Sequence, residues 1–254
     1  MPHKVVIFCG GEGTRIRELS EKIPKPLISI DGEPIIMHIM KHYAKYGIKD
    51  FILCLGYKKS MFKDHFIRRS NIGDGDLSIL NGKVIKEHDT KMLDWNVTLI
   101  DTGENSCIGE RLLEVKKHLI NEEHFFVTYG DALSDVNPLE SLDVLRSNKS
   151  LVASITGVAP NHSFHLIKSD ESGMVADIYD TKKSDVWVNG GFMCMTPLIF
   201  DYLNPGEELV VEAFARLIEK DKLHVINHHG YFYAMDTYKD YLELTKVFES
   251  GLIK

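Results

Sequence analysis

The sequence predicts an α/β fold with a mostly parallel sheet, and three observations carry that expectation. VVIFC at 5–9 and FILCLGY at 51–57 are short, continuously apolar runs, the pattern of strands buried on both faces. Between them, PIIMHIMKHYAKYG at 34–47 puts Ile35, Ile36, Ile39, Met40 and Tyr43 on one face at helical spacing, with Gly47 as the C-terminal stop. Strand, helix and strand within about fifty residues form a βαβ unit, whose strands are parallel and whose crossover is right-handed.

The pattern continues along the chain. NVTLI (96–100) reads as a strand, RLLEVKKHL (111–119) as a helix, FFVTYGD (125–131) as a strand ending in an acidic turn, and LVASI (151–155) as another strand. From about residue 157 the strand-like pieces shorten, VWVNGGFMCM (186–195) being the clearest. EELVVEAFARLIEK (207–220) and YKDYLELTKVFESG (238–251) read as late helices. With no repeat, low-complexity tract or Pro/Ser-rich linker, the economical organisation is a single domain over 1–254. Its first half ends near 156, and the half from about 157 completes a cleft.

Composition sets the outer limits. A chain of 254 residues is within the range of one large α/β domain, and 44% hydrophobic residues suffice for a sizeable core. The net charge of -7 offers no basic footprint for duplex nucleic acid, so a phosphate site has to be locally positive within an acidic body. Cys9, Cys54, Cys107 and Cys194 are widely separated with no CxxC pair, which favours reduced thiols in a cytoplasmic protein over a disulfide framework or zinc site. MPHKVVIFCGG is too quickly interrupted for a signal peptide, and no apolar run approaches the ~20 residues that span a membrane.

The first strand runs straight into GGEGTR, with Gly10, Gly11 and Gly13 bare of Cβ. Such a loop can take positive φ and bring several backbone N–H groups close to an anion. A P-loop would need Lys-Ser or Lys-Thr at the end of GxxxxGK[ST], and none follows at that spacing. A dinucleotide fingerprint would need a third glycine where Thr14, Arg15 and Ile16 stand. What remains is a glycine loop beside two fixed cations. Arg15 offers a planar fork for phosphate oxygens, and Lys25 is a point charge between Pro24 and Pro26. The prolines disfavour helix for Ile23 and Lys25, so this stretch is expected to lie extended across the mouth of the loop. A nucleoside triphosphate fits these features.

Nucleotidyl transfer also calls for Mg²⁺, a hard ion that takes carboxylate oxygens. Asp131, at the C-terminal end of a predicted strand, and Asp236, after the apolar stretch GYFYAM, are the expected ligands. His38 and His42 lie four apart on a predicted helix but lack the Glu of HExxH, and the adjacent His228 and His229 point to opposite faces of a strand. All four are expected to be structural or surface residues.

GGEGTR, PKP, HIMKHYAKYGIKDFILCLGYK, WNVTLIDTG (95–103), GERL (109–112), FFVTYGD, VNGGF (188–192) and AMDT (234–237) together resemble the sugar nucleotidyltransferases nearly end to end. The closest branch is that of the glucose-1-phosphate cytidylyltransferases. The resemblance implies a doubly wound, Rossmann-like sheet of the nucleotide-diphospho-sugar transferase type and an enzyme of the EC 2.7.7 type. It also implies Mg²⁺ dependence, CTP as co-substrate with a small phosphorylated acceptor, and pyrophosphate release. Gly10, Gly11, Gly13, Thr14, Arg15, Lys25, Arg111, Tyr129 and Gly130 would bind the nucleotide, with Arg15, Lys25 and Asp131 catalytic and Asp131 with Asp236 on the metal. Asn189 matches an acceptor position, and His165 falls where the acceptor should sit. The branch's Glu-Lys-Pro motif is missing before Asn189, leaving Lys182 or Lys183 as its substitute. Phe164-His165-Leu166 likewise stands where the family has a small Phe-Gly-Ala segment. These departures admit a non-sugar phosphate acceptor as the alternative, and an inactive nucleotide-binding regulator as an alternative of another class. Surface-polysaccharide assembly and a homo-oligomer are what the family resemblance further implies.

Overall fold

Val5 aligns with Phe51 on one side and Phe126 on the other, both in parallel register, so the expected βαβ unit forms and a third parallel strand joins it. The computed structural model describes residues 3–11, 13–71, 77–80, 83–86, 94–160, 165–181, 184–251 and 253. Seven strands make its central sheet: β1 (Lys4–Phe8), β2 (Asp50–Leu55), β3 (Asn96–Asp101), β4 (Phe125–Tyr129), β5 (Ala153–Val158), β6 (Val188–Met195) and β7 (Leu223–His228). Their order across the sheet is β7-β5-β6-β4-β1-β2-β3, and β6 alone in this sheet runs against its neighbours. The chain winds outward from β1 to β3, then returns to start β4 on the other side of β1. The strand order therefore reverses between β1 and β4, where open α/β sheets leave a crevice at the carboxyl ends of their strands.

Successive residues of β1 serve opposite faces of the sheet. Val5 and Ile7 pack with Ile35, Ile36, Ile39, Met40 and Tyr43 of the helix Ile35–Lys45. Val6 and Phe8 pack with Leu112, Val115, Phe214 and Leu217 on the other side. Both faces of β1 are buried, which is why it reads as an unbroken apolar run. Each such buried side chain contributes about 1.5–3 kcal/mol of transfer free energy. Gly47, at φ +78°, ends the helix as expected, because a left-handed residue there carries no Cβ penalty.

Several elements differ from expectation. The helix read over 111–119 begins at Ile108 and ends at Glu114, followed by a 3-10 turn over Lys116–His118; Glu110 accepts the Cys107 N–H at 2.9 Å and starts it early. The stretch 207–220 is divided into a π-type segment, Leu209–Ala213, and a short α-helix, Phe214–Ile218. The helix Lys59–Asn71 goes unread in the sequence because it is polar nearly throughout, and Phe62 is its fully buried anchor. β7 is equally hard to read, since it is an edge strand whose Val225 stays exposed. The stretch about Lys25 is not extended: Lys25–Leu27 form a 3-10 turn closed by Leu27 N–H donating to Pro24 O at 2.8 Å. Pro24 keeps an extended conformation at φ -56°, ψ 140°. Burial of Lys25, Pro26 and Leu27 outweighs the local preference beyond it. Cys9, Cys54 and Cys194 are buried free thiols and Cys107 is half-buried, as the spacing suggested. Among the described residues no helix is long and apolar enough to cross a membrane.

Candidate active site

The carboxyl ends of β1 and β4 open onto one cleft of about 220 Å³. Its walls gather most of the residues read from the sequence: Gly10, Gly11, Gly13 and Arg15 from the loop after β1, Lys25 from the proline turn, Tyr129, Gly130 and Asp131 from the end of β4, and Asp236. A larger hollow of about 490 Å³ lies at the other end of the sheet, beside His124 where β4 begins, and holds none of them.

Backbone geometry fixes the floor. Gly130 N–H donates to Phe8 O at 3.0 Å, tying the two strand ends together. Gly13 has φ +63°, and a Cβ there would lie 3.2 Å from the Ser20 Cβ and 3.4 Å from that of Lys25. Its carbonyl accepts from Ile16 N–H at 3.0 Å and from Ser20 Oγ at 2.9 Å. The loop is thereby folded tightly over the Lys25 stem. Thr14 opens the 3-10 turn Thr14–Ile16.

Asp131 and Asp236 are far apart in the chain, and a small antiparallel pair joins them. Ala132–Ser134 pairs with Phe232–Ala234, and Met235 N–H donates to Asp131 O at 2.9 Å, which brings Asp131 and the following Asp236 to the same end of this pair. Both carboxylates then meet one ammonium: Lys25 Nζ donates to Asp131 Oδ2 at 2.6 Å and to Asp236 Oδ1 at 2.7 Å. The Lys25 side chain is only 10% exposed, while that of Arg15, whose Nη2 donates to the same Asp236 oxygen at 3.0 Å, is 72% exposed. Lys25 is thus a sheltered charge and Arg15 a solvated one. Burial, with Asp131 nearby, pushes the Tyr129 phenol up to about 12, so it remains a neutral hydroxyl in the cleft.

Arg111 is not among the residues that line the cleft. It is 3% exposed and sits behind the glycine loop, where its hydrogen-bond partners are all uncharged oxygens. Nη1 donates to Thr102 Oγ1 at 2.9 Å, Gly103 O at 2.8 Å and Leu55 O at 3.3 Å, and Nη2 to Glu104 O at 3.1 Å and Gly10 O at 3.2 Å. Burial pushes its pKa down. One guanidinium so clamps the loop after β1, the end of β2 and the loop after β3, a use that spacing in sequence does not reveal. Arg111→Leu should leave several of those carbonyls without a donor and cost about 3 kcal/mol of stability. Urea denaturation checks this, and a loss under about 1 kcal/mol would contradict the clamp.

The acceptor-side residues are less gathered. Asn189, in β6, is exposed, and its Oδ1 accepts from Gly191 N–H at 2.9 Å. His165 is exposed at the head of the hairpin His165–Ser169 with Val175–Asp180. Neither is among the residues that line the cleft. Lys182, Lys183 and Phe164 lie outside the described residues. The histidines set aside earlier have structural partners: His38 Nε2 lies 2.9 Å from Ile30 O, His42 Nε2 2.8 Å from Val136 O, and His228 Nε2 2.8 Å from Asp135 Oδ1. The His229 ring packs edge-on against Trp187.

A family model described as "Nucleotidyl transferase" matches residues 4–245. The chain is 36% identical to a Bacillus subtilis protein named "Probable glucose-1-phosphate cytidylyltransferase", covering 98% of this chain and 97% of that one. It is 33% identical to the glucose-1-phosphate cytidylyltransferase of Salmonella typhi, covering 98% and 96%. Among solved structures, UTP-bound UGPase from Acinetobacter baumannii is similar in fold, with a TM-score of 0.67 at 18% identity over 98% of this chain and 93% of that one. HddC from Yersinia pseudotuberculosis gives 0.65 at 21% identity over 97% and 99%.

Proposed function

The chain belongs to the nucleotidyl transferase family, and from that premise we propose that it is a Mg²⁺-dependent cytidylyltransferase. It would convert CTP and a sugar 1-phosphate into a CDP-linked sugar and pyrophosphate. One observation carries the reading: two cations and two carboxylates converge beside a glycine loop at the sheet's switch point. Full-length similarity to glucose-1-phosphate cytidylyltransferases favours CTP and a sugar acceptor over a non-sugar phosphate. Family membership likewise disfavours the inactive regulator.

The donor set suits magnesium. Asp131 Oδ2 and Asp236 Oδ1 both lie within hydrogen-bond distance of one nitrogen, close enough to share one hard cation after small adjustment. Among the described residues no cluster of three or more His, Cys, Asp or Glu could form an all-protein cage. Mg²⁺ characteristically takes one or two carboxylates and completes its shell with water and substrate phosphates. Zinc would need more.

In this mechanism the acceptor phosphate oxygen attacks the α-phosphorus of CTP in line, and the bond to the pyrophosphate oxygen breaks. Both reactants are anions, so the first requirement is to offset their repulsion. N–H groups of the glycine loop, with Arg15 and Lys25, supply positive potential in a partly dry cleft, where each contact outweighs its value in water. When bound, the metal adds charge neutralisation on the phosphates. A phosphate nucleophile is ionised at neutral pH, so no general base is required, and positioning with charge stabilisation suffices. The product would be an activated sugar of the kind consumed in capsule or surface-polysaccharide assembly.

Pyrophosphate release with Mg²⁺ tests the reading, using CTP, UTP, dTTP and GTP, each against glucose 1-phosphate, other sugar 1-phosphates and polyol phosphates. CTP with a sugar 1-phosphate is expected to exceed every other combination by at least about tenfold in kcat/KM, about 1.4 kcal/mol of discrimination. Preference for another nucleotide, or for a polyol phosphate, would overturn the corresponding part.

A further inference from the structure

Lys25 stands where a cation between Asp131 and Asp236 would have to stand. Its Nζ bonds to both carboxylates, at 2.6 and 2.7 Å, inside a shell that leaves the side chain 10% exposed. We propose that Lys25 is the internal counter-ion of this carboxylate pair, and that it yields the pair to a divalent cation only when a triphosphate draws its ammonium away. Metal and nucleotide then bind as a coupled event. This rests on the metal assignment made above and adds to it a role for the lysine in the free protein.

Three features support the handover. Two carboxylates so close repel unless a cation lies between them, and the ammonium meets that need with two of its three donors. A metal arriving alone would have to break both bonds while facing Lys25 and Arg15, so the formally neutral cluster resists it. A triphosphate changes the balance, because it offers the ammonium new acceptors and brings the negative charge that a metal needs. The lysine is also placed for the move. Its backbone is fixed in the buried proline turn, and its Cβ lies under Gly13, where a glycine Cβ would come within 3.4 Å. Only the flexible stem has to swing from the carboxylates to the phosphate loop.

The linkage is reciprocal: whatever Lys25 subtracts from metal affinity in the free protein must reappear as coupling to nucleotide. The full chain is titrated with Mn²⁺, following free Mn²⁺ by electron paramagnetic resonance, with and without the non-reacting α,β-methylene analogue of CTP. The wild type is compared with Lys25→Met and, as a second variant in case methionine impairs folding, Lys25→Gln. Without nucleotide, either variant should bind Mn²⁺ at least about tenfold more tightly than the wild type, within the usual range of coupling energies. The enhancement of Mn²⁺ affinity by the analogue should shrink by a similar factor. Adding Asp131→Asn to Lys25→Met should abolish the gain. Unchanged or weaker nucleotide-free affinity in a folded variant, with normal Mn²⁺ binding in the analogue complex of the wild type, would overturn the counter-ion role alone. Absence of Mn²⁺ binding by the wild type even with the analogue would overturn the metal assignment itself, and this proposal with it.

Discussion

Lys25→Ala is expected to lower kcat with CTP by about 10²–10³-fold, the loss found when one preorganised donor is removed from a charge-stabilising site. Two properties place Lys25 at the upper end. It is sheltered, so its charge is little screened, and its backbone is held by a rigid turn between Pro24 and Pro26, so only the side chain has to move when the phosphates arrive. Arg15→Ala provides the contrast. That guanidinium is 72% exposed, and its pair with Asp236 is a solvated contact of the kind worth little by itself. Its loss should cost about 10²-fold, and should show partly as a raised KM for CTP. Initial-rate measurements of pyrophosphate release over a CTP series distinguish the two. A Lys25→Ala enzyme within about threefold of the wild type would remove the lysine from the chemistry.

Asp131→Asn is expected to depress Mg²⁺-supported turnover by 10³-fold or more, because metal stabilisation of phosphoryl charge is worth several kcal/mol. The substitution keeps shape and volume, which isolates charge from packing. The backbone carbonyl of Asp131 accepts from Met235 N–H, and the adjacent Ala132 pairs with Ala234, so the local frame should survive the change. Charge is what disappears: Lys25 loses one of its two partners, and a metal loses a full carboxylate. Titrating Mg²⁺ against turnover separates a lost ligand from a general defect. A lost ligand should raise the half-activating Mg²⁺ concentration as well as lower the plateau. Normal turnover at the usual Mg²⁺ concentration would place the metal elsewhere.

Legibility in the sequence differed from residue to residue. The glycine loop was readable because three glycines directly after a buried strand have few uses, and Asp131 because the strand before it is continuously apolar. Asp236 follows a mixed apolar stretch, and on its own it reads as an ordinary turn residue. The structural role of Arg111 was not legible because GERL shows a cation on a helix but not that the loop after β1, the end of β2 and the loop after β3 all close upon it. The extended reading of the proline segment failed for a related reason, since a local φ/ψ preference is small beside the burial of three residues. Lys59–Asn71 and β7 went unread because neither has enough buried apolar residues to mark its period.

By itself the sequence determined the class of fold and singled out the loop glycines and charged residues that the structure gathers at one cleft. All of these rest on patterns a few residues long, where side-chain volume, periodicity and missing Cβ atoms act directly on the neighbouring backbone. Only the tertiary structure decided that Asp131 and Asp236 come together at one end of a small strand pair, that the proline-bound ammonium bonds to both, and that Arg111 supports the loop from behind. Those facts depend on strand order and on contacts between segments remote in the chain, and Coulomb energy follows distance in space, which no local pattern encodes.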